Sequence, residues 1–278
     1  MNVAEFTAVV GVCSFVAGML GSLTGLGGGV VIVPLLALGF GVDIRYAIGA
    51  SLVSVIATSS GAAAAYVKEG FSNIRIGMFL EIATTFGALV GASLAAGIPT
   101  TFIAIIFGLV LIYSAYLSGR PQPEHWTTES PDFLARVLKM DGSYPGAGGE
   151  VSYSVRAIPA GFSLMFVAGI LSGLLGIGSG AVKVLAMDQI MRIPFKVSTA
   201  TSNFMIGVTA AASAGLYLSR GYIDPALAMP VMLGVLFGSL LGARIMPNAK
   251  TRALRIIFAI VILGLGIEMI YNGLTGRL

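Results

Sequence analysis

An internal duplication constrains the fold of this chain more than any other sequence feature. When the sequence is shifted by 151 residues, Phe15-Val-Ala-Gly18 aligns with Phe166-Val-Ala-Gly169, and about 22 of about 78 aligned positions are identical without a gap. Shared composition of two membrane segments accounts for part of such identity, but not for the glycine pattern, because several glycines coincide at fixed spacing. We therefore predict two copies of one unit, residues 1–118 and 156–278, joined by a linker at 119–155.

The apolar runs of each unit have lengths that predict membrane helices. Hydrophobic residues make up 56% of the chain and charged residues 10%, whereas soluble domains carry roughly 25% charged residues. This excludes a cytosolic enzyme, a disordered chain and a nucleic-acid binder, and it predicts an all-α polytopic protein in a lipid bilayer. The predicted long runs, each near the 17–25 residues that a span requires, are 5–23, 46–67, 74–96, 101–118, 157–174, 197–218, 225–245 and 254–272. Two short runs, 30–40 and 181–191, cover only about half of a 30 Å hydrocarbon core.

The N-terminus and the linker carry separate predictions. The N-terminus lacks a basic segment, so we interpret it as the start of the first membrane helix without a cleavable signal peptide. In the linker we predict a short amphipathic helix around Asp132–Met140. The rest of the linker contains several prolines and a Gly-Ala-Gly-Gly run, and we predict it to be loop with no chemistry of its own.

The distribution of positive charge predicts how the two units are oriented. If each glycine-broken segment crosses the membrane once, the units are parallel, and Lys and Arg divide eight to seven between the two sides. If each makes no net crossing, as a re-entrant hairpin or a paired down-and-up element, the units are inverted and the division is twelve to three. Cytoplasmic loops carry an excess of Lys and Arg. We therefore predict two inverted repeats in the cell (inner) membrane, each a glycine-broken helix pair followed by three transmembrane helices. Both termini are then outside and the linker is cytoplasmic.

Two glycine clusters at matching positions form the predicted substrate site. Each cluster precedes a half-helix whose first N–H groups are unpaired and whose dipole is positive at that end. Glycine also lets a ligand approach the backbone closely. Paired half-helix ends near the midplane are a recurrent transporter plan and would bind an anion; close helix packing is the alternative role. The cluster residues assigned to the site are Gly25, Gly27, Gly28, Gly29, Gly176, Gly178, Ser179 and Gly180.

Lys183 is the predicted cation of this site. It lies in the first turn of the second half-helix, and its counterpart in the first unit is Ile32. A charge at the centre of a membrane costs about 2.5–3.5 kcal/mol on insertion scales. We predict that Lys183 pairs with an anionic substrate; an ion pair with Asp188 or contact with a water-filled vestibule are the alternatives.

Hydroxyl and amide groups near the start of the next helix complete the predicted site. Ser51 matches Ser202 in the alignment, and Asn203 is costly to bury without a partner. We assign these three residues to substrate binding, although helix packing is the common role of such side chains. For the small-residue pairs Gly87-xxx-Gly91 and Gly238-xxx-Gly242 we predict close helix packing alone.

Two acids in apolar runs are candidates for ion or proton coupling. Glu81 has Met232 as its counterpart, and Asp188 ends the second half-helix. Intramembrane acids often bind ions or relay protons, but each could instead hold a loop arginine near the cytoplasmic edge. The chain contains one cysteine and one histidine, so we expect no disulfide, metal site, cofactor or catalytic site.

The order of these motifs resembles the TauE/SafE sulfite-exporter family. The resemblance rests on both glycine clusters, on the Ala50-Ser-Leu stretch and on three longer segments, Gly25-Leu-Gly-Gly-Gly-Val-Val-Ile-Val-Pro34, Thr199-Ala-Thr-Ser202 and Gly238-Ser-Leu-Leu-Gly-Ala-Arg244. It implies transport of sulfur-containing anions such as sulfite, thiosulfate or organosulfonates. The chain departs from the family pattern at Ser179, at Leu185 (which aligns with Pro34), at Lys183 and at Asp188.

The resulting hypothesis is a secondary transporter of a small sulfur oxyanion or organosulfonate that works by alternating access. An anion channel is the first alternative, and it would show no counterflow. A cation or proton exchanger using Glu81 and Asp188 is the second, but it predicts acids at matched positions. An intramembrane hydrolase is disfavoured because no membrane histidine is present to activate Ser179. Exposed small-residue faces would allow a homodimer.

Overall fold

The computed structural model describes residues 3–25, 27–119, 132–146, 149–245 and 251–275. Within these ranges the chain forms eleven α-helices and one β-hairpin. The first unit contains α1 (Val3–Thr24), α2 (Gly29–Pro34), α3 (Ile44–Lys68), α4 (Ile74–Ala95) and α5 (Thr100–Gly119). The linker contains α6 (Phe133–Val137), β1 (Gly142–Gly146) and β2 (Gly149–Tyr153). The second unit contains α7 (Ile158–Leu175), α8 (Gly180–Leu185), α9 (Phe195–Ser219), α10 (Pro225–Ile245) and α11 (Thr251–Leu274).

The short helices α2 and α8 are each extended by one π-helical segment, Leu35–Gly39 and Ala186–Ile190. These two continuous helical stretches correspond to the predicted short runs. Five of the described helices, α1, α3, α4, α7 and α10, are long and apolar enough to cross a membrane.

The outward faces of α4 and α10 are apolar. Large side chains such as Ile82 and Phe86 on α4 are more than half exposed, and so is Phe237 on α10. Large contiguous patches of exposed apolar side chains are rare on soluble monomers and mark a surface that contacts lipid or protein. Together with the five long apolar helices, these faces confirm the prediction of a polytopic helical membrane protein.

The same helix packing occurs twice. α1 packs on α10, and its counterpart α7 packs on α4. A side chain at Gly87 would meet the carbonyl oxygen of Phe166 on α7, and one at Gly238 would meet that of Phe15 on α1. These contacts leave room only for hydrogen between the backbones of neighbouring helices. The predicted packing role is thus confirmed for Gly87-xxx-Gly91 and Gly238-xxx-Gly242.

The counterpart helices α3 and α9 pack against each other at the centre and run antiparallel. At one end, Tyr46 near the start of α3 contacts Tyr222, which follows α9, with the ring centroids 5.7 Å apart. At the other end, the N–H of Asn73, which follows α3, donates to Thr201 Oγ1 near the start of α9 at 3.0 Å. The start of one helix therefore lies beside the end of the other.

Each glycine-broken segment returns to the end from which it started. The rings of Phe6, near the start of α1, and Phe40, after the first π-helical segment, are 5.0 Å apart. In the second unit, the N–H of Arg156, just before α7, donates to the carbonyl of Met191 at 3.1 Å. Both segments therefore have the paired down-and-up geometry.

The linker is more ordered than the sequence indicated. Its predicted short helix is confirmed by α6, but the prediction of loop beyond it is wrong for 142–146 and 149–153, where β1 and β2 pair antiparallel with Gly142 opposite Tyr153. The hairpin docks on the loop between α3 and α4, because Asn73 Nδ2 donates to the Tyr153 hydroxyl at 2.8 Å. Docking of the hairpin buries the phenol, and this burial raises the pKa of Tyr153 more than the hydrogen bond from Asn73 lowers it. Residues 120–131 of the linker lie outside the described residues.

Candidate functional site

The two glycine clusters meet at the centre of the protein. A side chain at Gly29 would lie 3.0 Å from the carbonyl oxygen of Gly176, and one at Gly27 would lie 3.5 Å from that of Ile177. These residues are buried. The clusters thus contact each other across the two units, as expected for paired broken helices; Leu26, within the first cluster, lies outside the described residues.

The backbone of the clusters shows why glycine is needed at their first and third positions. Both positions adopt left-handed φ in both units, a conformation that glycine alone reaches without strain. The residues and their φ angles are Gly25 (72°), Gly27 (79°), Gly176 (67°) and Gly178 (68°). The two loops therefore have the same shape at these positions.

Ser51 and Ser202 connect the two clusters in a symmetric way. Ser51 Oγ donates to the carbonyl of Gly176 at 2.7 Å, and Ser202 Oγ donates to that of Gly25 at 3.1 Å. Each serine is fully buried and reaches the first glycine of the opposite unit's cluster. Both predicted serines are therefore at the site, where their hydroxyl protons bind loop carbonyls and fix one cluster relative to the other.

The fourth position of the clusters differs between the units. Ser179 has a φ of 45°, whereas its counterpart Gly28 has a φ of −65°. The Ser179 hydroxyl donates to the carbonyl of Ala168 on α7. The serine that departs from the family pattern thus secures its loop to a neighbouring helix, which offsets the strain of a left-handed non-glycine residue.

Buried polar atoms without hydrogen-bond partners lie next to the first cluster. Asn203 Nδ2 donates to the carbonyls of Ser22 and Thr199, but Asn203 Oδ1 and Thr199 Oγ1 have no partner among the described residues. A side chain at Gly25 would lie 2.8 Å from Thr199 Cγ2. Buried polar groups are normally hydrogen-bonded, so the position beside Asn203 and Thr199 is suited to a polar ligand.

Lys183 is fully buried and belongs to a hydrogen-bonded ion pair. Its Nζ donates to Thr209 Oγ1 at 2.5 Å, and the Thr209 hydroxyl donates to Glu81 Oε1 at 2.5 Å. Nζ also lies 3.7 Å from Glu81 Oε2. The lysine from α8 and the acid from α4 are thus joined by one threonine of α9, so the two units contribute one charge each.

The partner of Lys183 differs from the one suggested as an alternative from sequence. That alternative was Asp188, which is buried in the second π-helical segment, but the ion pair forms with Glu81. The alternative that Glu81 holds a loop arginine is not what the structure shows, because its carboxylate pairs with Lys183.

Sequence reasoning missed Thr209 and two tyrosines. Tyr66 donates to the carbonyl of Ser22 at 2.9 Å, and its counterpart Tyr217 donates to that of Leu174 at 3.4 Å. These bonds hold the ends of α1 and α7 beside the clusters. Both tyrosines and Thr209 are matched between the units, and that match was the available signal. For the ion pair, the signal was two unmatched charges of opposite sign in apolar runs.

A bundle of apolar helices around a buried, charged centre and a pair of broken helices defines a multi-pass membrane protein of the transporter class. The profile of the family described as "Sulfite exporter TauE/SafE" matches residues 10–269, nearly the whole chain. The chain therefore belongs to the TauE/SafE sulfite-exporter family, whose members are membrane transporters and not enzymes.

Individual relatives agree with this assignment. The chain is 31% identical to "Probable membrane transporter protein YunE" of Bacillus subtilis over 273 residues, which cover 95% of this chain and 97% of that protein. It is 26% identical to "Probable membrane transporter protein YdhB" of the same organism, covering 83% and 86%. It is 25% identical to "Sulfite exporter TauE/SafE family protein 5" of Arabidopsis thaliana, covering 47% and 29%. No solved structure matches.

Proposed function

We propose that this protein is a secondary transporter that moves small sulfur-containing anions, sulfite or an organosulfonate, across the cell (inner) membrane by alternating access. The observation that carries the proposal is the contact between two glycine clusters beside a fully buried lysine. A buried cation close to the N-terminal ends of two broken helices is the arrangement expected for an anion site.

The proposed topology is that of inverted repeats, with the linker cytoplasmic and both termini outside. Three observations support it: the twelve-to-three division of Lys and Arg, the return of each broken segment to its starting end, and the antiparallel packing of counterpart helices. The counterpart helices α5 and α11 are also antiparallel. A side chain at Gly266 would meet the carbonyl oxygen of Gly108, and one at Gly273, later in α11, would meet that of Thr101, earlier in α5. Alternating access in such proteins is largely a rocking of one repeat against the other.

In the proposed site, Lys183 pairs with the anion and the backbone of both clusters surrounds it. A compact oxyanion has several acceptor oxygens and suits a few convergent N–H groups with one cation. Asn203 and Thr199 have polar atoms available next to the first cluster, and Ser51 and Ser202 hold the loops in place. The family description and the name of the plant relative favour a sulfur oxyanion over other anions. Glu81 and Asp188 are the proposed coupling residues.

The test is counterflow in liposomes containing the purified protein. Labelled sulfite, thiosulfate and methanesulfonate would be supplied outside, with the same unlabelled anion inside. A carrier gives transient accumulation of label that saturates with concentration, whereas a channel gives flux without accumulation. Absence of flux for all three anions would contradict the proposed substrate class.

A pair of lysine variants locates the site within the same assay. Lys183→Met is expected to abolish counterflow, because it removes the cation and keeps the length of the side chain. Lys196→Met is the matched control, since Lys196 is exposed at the start of α9, and counterflow should persist. Wild-type counterflow in folded Lys183→Met would exclude Lys183 from the anion site.

A further inference from the structure

We propose that Glu81 binds one proton for each anion that pairs with Lys183, with Thr209 bridging the two side chains, so that proton and anion cross the membrane together. This inference rests on the proposed function and specifies its coupling ion. The observation behind it is that the cation proposed to bind substrate is already neutralised by a carboxylate from the other unit.

The geometry of the pair differs from that of a tight structural salt bridge. Glu81 Oε1 accepts hydrogen bonds from Thr209 and, at 3.2 Å, from Thr85. Glu81 Oε2 is buried, accepts no hydrogen bond among the described residues and lies 3.7 Å from the lysine Nζ. One oxygen is therefore fixed by hydroxyl donors, while the other is placed to accept a proton.

Few other charges face this carboxylate. α7, which packs along α4, contains no charged residue. On α9 the charged residue, Lys196, lies near the start of the helix, far along the sequence from Thr209. α8 contributes Lys183, the following π-helical segment contributes Asp188, and α4 itself contributes Arg75 near its own start. The charge state of Glu81 thus depends chiefly on what Lys183 is paired with.

Pairing Lys183 with a substrate anion removes the neutralising cation from Glu81. A buried carboxylate without a cation is strongly disfavoured, so it takes up a proton from the aqueous side on which the anion enters. The proton leaves a hydronium ion of that aqueous side and forms an O–H bond on Glu81, while the ion pair with Lys183 breaks. When the anion leaves on the other side, the proton leaves as well and the ion pair forms again. Anion and proton therefore move in the same direction.

The asymmetry of the two units supports a role in coupling. The fold does not need charges at these positions, because the counterparts of Lys183 and Glu81 are Ile32 and Met232. A charge buried in a membrane helix is costly and typically functional. The bridging residue Thr209, by contrast, has a threonine counterpart, Thr58, so the charges alone distinguish this centre from its symmetric equivalent.

The test measures proton movement with anion flux in proteoliposomes that contain a pH-sensitive dye. Methanesulfonate and thiosulfate are the probes, because both stay ionised near neutral pH and carry no proton themselves. Net uptake by wild type into anion-free liposomes is expected to acidify the lumen by one proton for each anion taken up. In Glu81→Gln, anion counterflow should persist while proton uptake is lost and counterflow no longer depends on pH. Glu268→Gln, which changes an exposed acid of α11, should behave like wild type.

The outcomes separate this inference from the proposed function. Net anion uptake by wild type without acidification of the lumen, or unchanged proton uptake in Glu81→Gln, would overturn the inference and leave the carrier intact. No counterflow of any sulfur anion by wild type would overturn both. If Glu81→Gln does not fold, Thr209→Val provides the second variant. It removes a donor to the carboxylate and should shift the pH of half-maximal counterflow upward, and an unshifted profile would count against the bridge.

Discussion

The two units of this transporter are alike where they build the fold and differ where they carry charge. Ser51 and Ser202 make equivalent bonds to the opposite cluster, and the close contacts of α1 with α10 recur between α7 and α4. In contrast, Lys183 and Glu81 occupy positions where the other unit has Ile32 and Met232. Duplicated features thus provide the scaffold, and the proposed binding and coupling chemistry rests on residues that are not duplicated.

The largest expected effect comes from filling the duplicated helix contacts. A side chain at Gly18 would meet the carbonyl oxygen of Val235, and one at the counterpart Gly169 would meet that of Thr84. Overpacking typically costs about 1–3 kcal/mol, and the cost is larger here because the neighbouring backbone must move. We expect Gly18→Leu and Gly169→Leu each to yield no monodisperse protein on size-exclusion chromatography. Gly264→Leu is the control, because nothing lies within 4 Å of its added Cβ.

The next effect comes from breaking the unduplicated ion pair. Lys183→Ile leaves the Glu81 carboxylate buried without its cation, and Glu81→Met leaves the ammonium in the same position. Breaking a buried pair by removing one partner costs about 3–5 kcal/mol. Both single variants should therefore unfold at clearly lower temperature than wild type in detergent, as monitored by circular dichroism. Unchanged unfolding temperatures would show that the pair is not formed in the folded protein.

Replacing either of the two serines is expected to have a smaller effect on stability, of the same size for both. Ser51→Ala and Ser202→Ala each remove the buried hydrogen bond to the first glycine of the opposite cluster, and Ser202→Ala also removes a longer contact of 3.4 Å with the carbonyl of Gly180. Leaving a buried acceptor unsatisfied costs about 1–3 kcal/mol. Because the two bonds are equivalent, the losses in unfolding free energy should agree, and the double variant should show whether they are additive. A loss confined to one of them would break the equivalence of the two clusters.

The smallest effect lies outside the duplicated units, in the linker hairpin. Tyr153→Phe removes the hydrogen bond from Asn73 at about 1 kcal/mol and should increase hydrogen exchange only in 142–153, with counterflow unchanged. Since burial raises the pKa of Tyr153 in the docked state, the docked hairpin disfavours the phenolate. Docking is therefore fully stable below the ordinary tyrosine pKa of about 10 and weakens as the pH rises above it. Altered counterflow in Tyr153→Phe would instead link the hairpin to transport.

The sequence was sufficient to predict the helices, because a membrane span must be apolar along most of its length. The predicted run 46–67 corresponds to α3 at Ile44–Lys68, and the small-residue pairs correctly indicated close packing at Gly87 and Gly238, although not the partner helices. Ser51 and Ser202 were placed at the centre, but their acceptors were not identified, since a hydroxyl donates to any nearby carbonyl. The pairing of Glu81 with Lys183 also escaped prediction, because the residues are far apart in sequence and lie on helices of different units. The hairpin was missed because prolines and glycines obscure the alternation of a strand.

The most direct test of the central claim is to make the two units alike at the charged centre. The double variant Glu81→Met/Lys183→Ile gives each unit the residue that the other already has. Replacing a buried ion pair by apolar residues is often neutral or stabilising, so the variant should unfold at or above the wild-type temperature while showing no counterflow of sulfite, thiosulfate or methanesulfonate. Counterflow at the wild-type rate in this folded variant would contradict the claim that the unduplicated charges carry transport.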